Sequence, residues 1–462
     1  MSSTAAPALR PELPARLGWA LGSGTILQGF NSSIIAVAVV SIGVFYGDPS
    51  ALPWLVSGMY IACAVASPTA GRLVDLFGAR RLYLTGLGIV LAGSLLGPFA
   101  PTLQALVAVR VLMGIGASIH FPAAMAVLRR SAAAQGGSNR RCIGTIALCG
   151  QTMAAIGPSI GGFLIVAGGW QAIFWANIPL VALSAVLVLC TVEADPRPEP
   201  RSFRAVVQLL DVPGLLLFVL ALVALMAGLL ELDGSLWTAG VLLAGSLGLG
   251  ALFFWRELNA AQPFLDVRML AGEPAVLRTC ARAVLTFTAF YCVFYGLPLW
   301  FEGARGLNPA ESGALMIPVF GAGVLSTMAA TAAGRRLSPR WLLVIGGTAF
   351  VLGGVLVAVL WTTDSPVWLL AAVAAVLGVP NGFNNVGNQS VLQASAPADS
   401  IGVASGLYRT AQYIGAALSV VLVDAVLAAA APGGGARLLG ICIAAAGCVL
   451  TAVNMAAALR RT

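Results

Sequence analysis

Cys149-Gly150-Gln151-Thr152-Met153-Ala154-Ala155-Ile156-Gly157-Pro158-Ser159-Ile160-Gly161-Gly162 lies in an apolar segment with no charge between Arg141 and Glu193. In water this stretch argues against a helix, because each interior Gly costs about 1 kcal/mol and each Pro about 3. In lipid the reading reverses. Gly150, Ala154, Gly157 and Gly161 recur at helical spacing and share one face. Small residues let a second backbone approach closely, which is how membrane helices associate. Pro158 adds a bend. The stretch therefore reads as a pliable, closely packed transmembrane helix on which two halves of a transporter could rock. A static packing seam is the alternative.

The composition extends that reading to the whole chain. Of 462 residues, 59% are apolar and 9% charged, against about 25% charged in an ordinary soluble domain. Fourteen apolar runs are candidates to cross a bilayer, which takes about 20 helical residues. They lie at about 17–45, 51–71, 82–100, 102–128, 141–166, 171–191, 213–231 and 234–255, then about 277–301, 309–332, 341–361, 366–392, 402–430 and 435–458. The expected fold is an all-α polytopic membrane protein. The excess of positive charge, +8, comes from arginine alone and sits in short loops. It reads as the positive-inside rule rather than as nucleic-acid binding. With the N-terminus in the cytoplasm, every arginine falls inside except Arg110, Arg305, Arg409 and Arg437. The acids Asp48, Glu231, Asp233, Glu302 and Asp364 fall outside. The expected location is the plasma (inner) membrane, with both termini cytoplasmic. Eight Cys lie in or beside apolar runs without a CxxC pair, so neither a disulfide framework nor a zinc site is expected. One His and no paired carboxylates within the spans give no sign of an enzyme, a metal site or a cofactor.

Two polar linkers divide the chain. Residues 191–213 are Pro-rich and charged and hold a short amphipathic piece, Phe203 to Leu210. A second linker covers Arg256 to Glu273. The division is six spans over 1–191, linkers and a two-helix hairpin over 192–273, and six spans over 274–462. Two six-helix bundles suit alternating access, in which one rocks against the other around a midplane site.

The loop after the second span reads Gly71-Arg72-Leu73-Val74-Asp75-Leu76-Phe77-Gly78-Ala79-Arg80-Arg81. It resembles the signature loop of the major facilitator superfamily, with Gly71, Asp75, Gly78 and Arg80 matching. Leu76 and Ala79 stand where basic residues are usual. Arg110-Val111-Leu112-Met113-Gly114-Ile115-Gly116 resembles that superfamily's R-x-x-x-G-x-G pattern. Gly157, Pro158, Gly161 and Gly162 resemble its antiporter motif. Trp170, Phe174, Asn177 and Pro179 look like the start of span six in the fourteen-span drug:proton antiporters. Trp54 and Tyr60, Asp211 and Gly214, and Ala404 to Leu407 fit further positions of that family. The resemblance implies a major facilitator fold of 6+2+6 helices. It also implies a proton-coupled exporter of drugs, antibiotics or secondary metabolites, working as a monomer.

Charges inside a membrane are costly and mark function. Arg110 could bond to the backbone or polar groups of a facing helix, and the resemblance gives it a part in coupling. His120, the only His, titrates near physiological pH and could carry a proton. Asp424, in span thirteen, is the other proton candidate. Arg409 is about 22 Å away along the same helix, at 1.5 Å per residue, so the two need separate partners. Asn381, Asn385 and Asn388, with Gln389 beside them, form an amide stripe expected to face a cavity or another helix. Gln412 and Tyr413 could face that stripe. Tyr291, with Phe287, Phe290, Phe294 and Tyr295, offers an aromatic wall, and Tyr60 and Gln151 add to the expected cavity. Asn31 replaces the acid that the family commonly carries in span one. That favours neutral, zwitterionic or anionic substrates over multivalent cations. A facilitator or importer of a polar or anionic solute is the alternative function.

Overall fold

In the hydrocarbon layer each backbone N–H and C=O must find its partner within the segment, so apolar runs become helices. The computed structural model describes residues 12–47, 51–135, 140–196, 211–232, 234–260, 263, 265, 267–334, 336–395, 401–430 and 434–459. The segment 203–210 and the side chains of Asp75 and Gln151 lie outside what is described. The helices are α1 (Ala15–Tyr46), α2 (Leu52–Phe77), α3 (Ala79–Leu96), α4 (Leu103–Gln135) and α5 (Arg140–Gly168). The short α6 (Ala172–Trp175) runs into α7 (Asn177–Thr191), followed by α8 (Val212–Leu230), α9 (Leu236–Asn259) and the short α10 (Val267–Gly272). Then come α11 (Pro274–Gly303), α12 (Pro309–Ala333), α13 (Pro339–Leu360), α14 (Val367–Ser395), α15 (Ile401–Ala429) and α16 (Gly435–Leu459). Among the described residues, thirteen helical stretches are long and apolar enough to cross a membrane, α6 and α7 counting as one. α5 is a further helix of 29 residues.

The packing repeats. α1 packs on α5, α2 on α4, and α3 on α4 and α7. Later in the chain α11 packs on α15, α12 on α14, and α13 on α14 and α16. The main pairs joining the two sets are α5 with α12, α2 with α15, and α1 with α11.

Arginine is concentrated at one end of the helices. There Arg141 lies 3.9 Å from Glu12, Arg130 3.0 Å from Asp195, and Arg340 donates to the Ala457 carbonyl. The opposite end is aromatic and tied by backbone acceptors. Tyr46 donates to the Ala100 carbonyl at 2.7 Å, and the Trp300 and Trp361 rings stack at 5.6 Å. Arg305 donates to the carbonyls of Ser365 and Thr362. Asn308 caps α12 there: its side chain accepts from the Ala310 and Glu311 amides, and Glu311 accepts from the Asn308 amide.

α8 and α9 form the hairpin, joined by the Phe218–Phe253 ring contact and by Ser246, which donates to the Ala221 carbonyl. Its base is ionic. Arg256 bonds Asp211, and Arg72 at the end of α2 donates to the Pro263 carbonyl. Burial is the largest single influence on the Asp211 carboxyl and pushes it up, but Arg256, Glu257 and the Gly214 amide together hold it below the usual range.

Candidate functional site

Two neighbouring faces of α5 meet different partners. Gly157 and Gly161 lie against Ser33, Ile34 and Val37 of α1, within one set of helices. Pro158, Ser159 and Gly162 face α12 instead. Ser159 donates to the Gly313 carbonyl at 2.8 Å, and a Cβ on Gly162 would overlap the Pro309 carbonyl. The regularly spaced small residues are thus an internal packing face, and the residues one step round the helix form the seam between the sets. Glu302, expected in an outer loop, is instead buried in the last turn of α11.

Below this seam a layer of aromatic and polar side chains joins the sets. Tyr60 of α2 and Tyr295 of α11 share a hydroxyl hydrogen bond of 2.6 Å, and Tyr295 donates to the Ser32 carbonyl at 3.1 Å. The rings of Tyr60 and Tyr291 meet edge to face at 5.3 Å, and Tyr291 stacks on Tyr295 at 5.7 Å. Gln28 of α1 donates to the Tyr413 hydroxyl of α15. Arg409 donates to Gln28 Oε1 and to the Tyr413 hydroxyl, both at 3.4 Å, and lies 4.0 Å over the Phe121 ring. Thr410 donates to the Ala64 carbonyl at 3.2 Å. Of the expected cavity residues, Tyr60, Tyr291 and Arg409 come together here. Gln28 and Phe121 were not expected. Each is a single residue in an apolar run, with no sequence signal of its own.

Arg110 and Asn31 form a separate node inside the first set. Arg110, 1% exposed, donates both terminal nitrogens to the Asn31 carbonyl, at 3.2 and 3.1 Å. The amides of Asn31 and Asn177 bond reciprocally at 2.8 and 3.1 Å. Asn31 is therefore turned into the helix set, and the Asn177 of the span-six motif is its partner. Gly114, in the Arg110 motif of α4, lies against Met59 and Ala62 of α2.

The second set has a similar node built around Arg282, expected among the loop arginines but half-buried in α11. It donates to Asn388 Oδ1 at 2.6 Å and to Asn454 Oδ1 at 3.5 Å. This divides the expected amide stripe of α14. Asn388 is buried with Arg282 beneath Tyr408, which also lies near Gln412. Asn381 reaches towards Gly323 of α12, Asn385 is half-buried, and Gln389 is exposed.

His120 is fully buried away from the tyrosine layer, packed on the Tyr83 ring at 4.9 Å and against Gly24. Asp424 is exposed and lines a groove of about 340 Å³ with Trp54, Leu230 and Glu231, facing the hairpin. In the loop between α2 and α3, Gly78 turns the chain with φ 95°. Gly71, seven residues earlier in the motif, is half-buried and meets no other atom at its Cβ position. Arg80 donates to the Leu189 carbonyl at 3.0 Å. Asp195, which follows α7, accepts from the Arg81 amide at 2.7 Å and from Arg130 at 3.0 Å. A carboxylate at the start of α3 is favoured by the helix dipole.

The sequence profile of the Major Facilitator Superfamily matches residues 21–420. The chain belongs to the Major Facilitator Superfamily. Among similar superfamily members, the uncharacterized MFS-type transporter YwoD of Bacillus subtilis is 31% identical, over 87% of this chain and 88% of that one. The tetracenomycin C resistance and export protein of Streptomyces glaucescens is 29% identical, over 88% and 75%. The methylenomycin A resistance protein of Streptomyces coelicolor is 27% identical, over 88% and 84%. Among solved structures, the peptide transporter POT has a TM-score of 0.69 at 16% identity, covering 98% of this chain and 97% of its own. A D-xylose-proton symporter has 0.65 at 15%, covering 94% and 96%. These last two likenesses bear on the fold alone. The chain is a multi-span membrane transporter of small molecules, in a family of transporters rather than enzymes.

Proposed function

We propose that the chain exports small amphipathic compounds, such as antibiotics or other secondary metabolites, by alternating access with proton entry as the counter-movement. The single observation that carries this is the tyrosine layer, in which Tyr60 and Tyr295 hydrogen-bond from helices of opposite sets. A substrate binding there has to separate residues that hold the sets together, so its site and the moving contact coincide. The resistance and export names of the Streptomyces relatives support the same reading. The division is fourteen spans as 6+2+6, with bundles at 1–191 and 274–462 and the hairpin and linkers between. The repeated helix pairing supports it. The arginine-rich end faces the cytoplasm with both termini, by the positive-inside rule. The working unit is a monomer in the plasma membrane.

The proton site is one of the ionisable groups on the spans. Glu302 sits one residue from the α5–α12 seam by its neighbour Ser312, which precedes Gly313. His120 and Asp424 are two further candidates. In proteoliposomes an imposed proton gradient should drive substrate movement, with substrate-dependent proton flux in return. Glu302→Gln should abolish the gradient-driven part, and Asp424→Asn should leave most of it. His120→Ala should lower the yield of folded protein, since it removes packing between α1, α3 and α4. Substrate flux without proton flux in the parent would sink the antiport claim.

A facilitator without proton antiport is the second reading. It is favoured by one observation: among the described residues, the tyrosine layer holds no carboxylate. Movement of substrate only down its own gradient would decide for it.

A further inference from the structure

We propose that the substrate is an amphipathic organic anion, an aromatic carboxylate, held by Arg409 with its rings among Tyr60, Tyr291 and Tyr413. This rests on the exporter reading and names the substrate class of the same site.

Among the described residues, three arginines enter the packed interior, and each is bonded there to neutral oxygens. Arg110 has the Asn31 carbonyl. Arg282 has Asn388, Asn454 and Thr279. Arg409 has Gln28 and Tyr413. The titratable groups near Arg110 are Tyr295, Tyr60 and Cys63, and those near Arg282 are Tyr408, Cys280, Arg340 and Arg278. Arg409 has Cys63 and Tyr413. None of these is a carboxylate. The described carboxylates on the spans are elsewhere. Glu257 accepts from the Leu265 amide beside the hairpin base, Asp424 lines the groove with Glu231, and Glu302 lies beside Ser312. A guanidinium stays charged in a protein. Among the described residues, the packed interior therefore carries fixed positive charge with no carboxylate bonded to it.

Arg409 is the one of the three placed to receive a ligand. It lies in the layer between the sets and is half-buried, whereas Arg110 is sealed and Arg282 is held inside the second set. Its two hydrogen bonds are long at 3.4 Å, and among the described residues its Nη1 donates to no group. One face of the guanidinium is covered by Phe121. Its edge is the part that takes a carboxylate through two parallel hydrogen bonds. The tyrosine rings beside it offer stacking surface for an aromatic body. The neutral Asn31 fits the same account, because an acid in span one would weaken anion binding. An anion leaving a negative cytoplasm is also driven outward by the membrane potential, with or without a proton in exchange.

The test uses the purified full chain in detergent and in proteoliposomes. The probes are 1-naphthoate, 4-biphenylcarboxylate and 2-anthroate, each beside its neutral carboxamide and its aminomethyl cation. At least one carboxylate should bind tenfold or more tightly than its amide and its cation. In vesicles it should leave faster when a valinomycin-clamped potassium gradient makes the lumen negative. Arg409→Gln should erase the preference for carboxylate over amide, and Arg409→Lys should keep part of it. A loss of fold would lower binding of all three forms together, whereas loss of the anion site changes their ratio. Equal binding of the three forms across the panel, or a preference that survives Arg409→Gln, overturns the proposal. If cations or amides are exported and no carboxylate is, the anion assignment falls and the exporter reading stands. If no compound of any charge moves outward against its gradient in cells either, the exporter reading falls with it.

Discussion

Gly162→Val is expected to cut transport at least tenfold while the protein still reaches the membrane in normal amount. A Cβ at this position overlaps the Pro309 carbonyl and comes within 2.9 Å of the Ala310 Cα, both backbone atoms that cannot rotate away. Overpacking of this kind costs about 1–3 kcal/mol. The contact joins two helix sets that separate in the alternating-access cycle proposed above, so the cost falls on one state only. About 1.4 kcal/mol of differential destabilisation changes the balance of two states tenfold. The sets would then rest apart at this end. Gly161→Val is the control. Its Cβ would overlap Ile34 of α1, inside one set, where the contact persists through the cycle. That variant should lose folded protein rather than turnover. Transport assays normalised to membrane protein separate the two. Gly162→Val turning over like the parent would show that the α5–α12 contact is no gate.

The same pair of glycines shows how far the sequence could be read. Helix positions were legible because lipid leaves the backbone one solution: the run expected at about 17–45 is α1, Ala15–Tyr46. Helical spacing also identified small residues on α5. It could not say which face met which neighbour, since a shift of one residue turns the helix by about 100°. Gly157 and Gly161 went to α1, and Pro158 and Gly162 to α12. The amides of α14 are divided between neighbouring helices for a related reason. Spacing made Asn381, Asn385 and Asn388 one stripe, but α14 packs on α12 on one side and α13 on another. Arg282, from α11, takes Asn388 out of the stripe. Partners separated by long stretches of chain carry no local signal. Asn31 and Asn177 are 146 positions apart, and Gln28 and Tyr413 are 385 apart. Asn31 could be read as a departure from the family pattern. That it bonds into its own helix set could not.

Arg110→Gln is expected to abolish transport, by about a hundredfold or more, without lowering the amount of folded protein. The two effects have opposite physical signs. Burying a guanidinium at a helix centre costs about 2.5–3.5 kcal/mol on insertion scales, a cost the glutamine does not carry. Its two hydrogen bonds to the Asn31 carbonyl return about 1.5–3 kcal/mol each, so the burial cost cancels much of what they contribute. Function does not share that cancellation. The fork of Arg110 grips one carbonyl of α1 with two nitrogens, four residues after Leu27, whose carbonyl also holds the Asn31 amide. α1 carries Gln28 and Ser32 on either side of that grip, and both bond residues of the other set, Tyr413 and Tyr295. Arg110 thus positions the part of α1 that meets α11 and α15. Arg110→Lys keeps the charge but offers a single ammonium in place of the fork, and should retain about a tenth of the parent's transport. Thermal stability in detergent, substrate binding and transport should be measured on all three proteins. Loss of transport with binding and stability retained is the expected pattern. Parallel loss of stability and transport would make Arg110 a structural residue and remove it from the transport cycle.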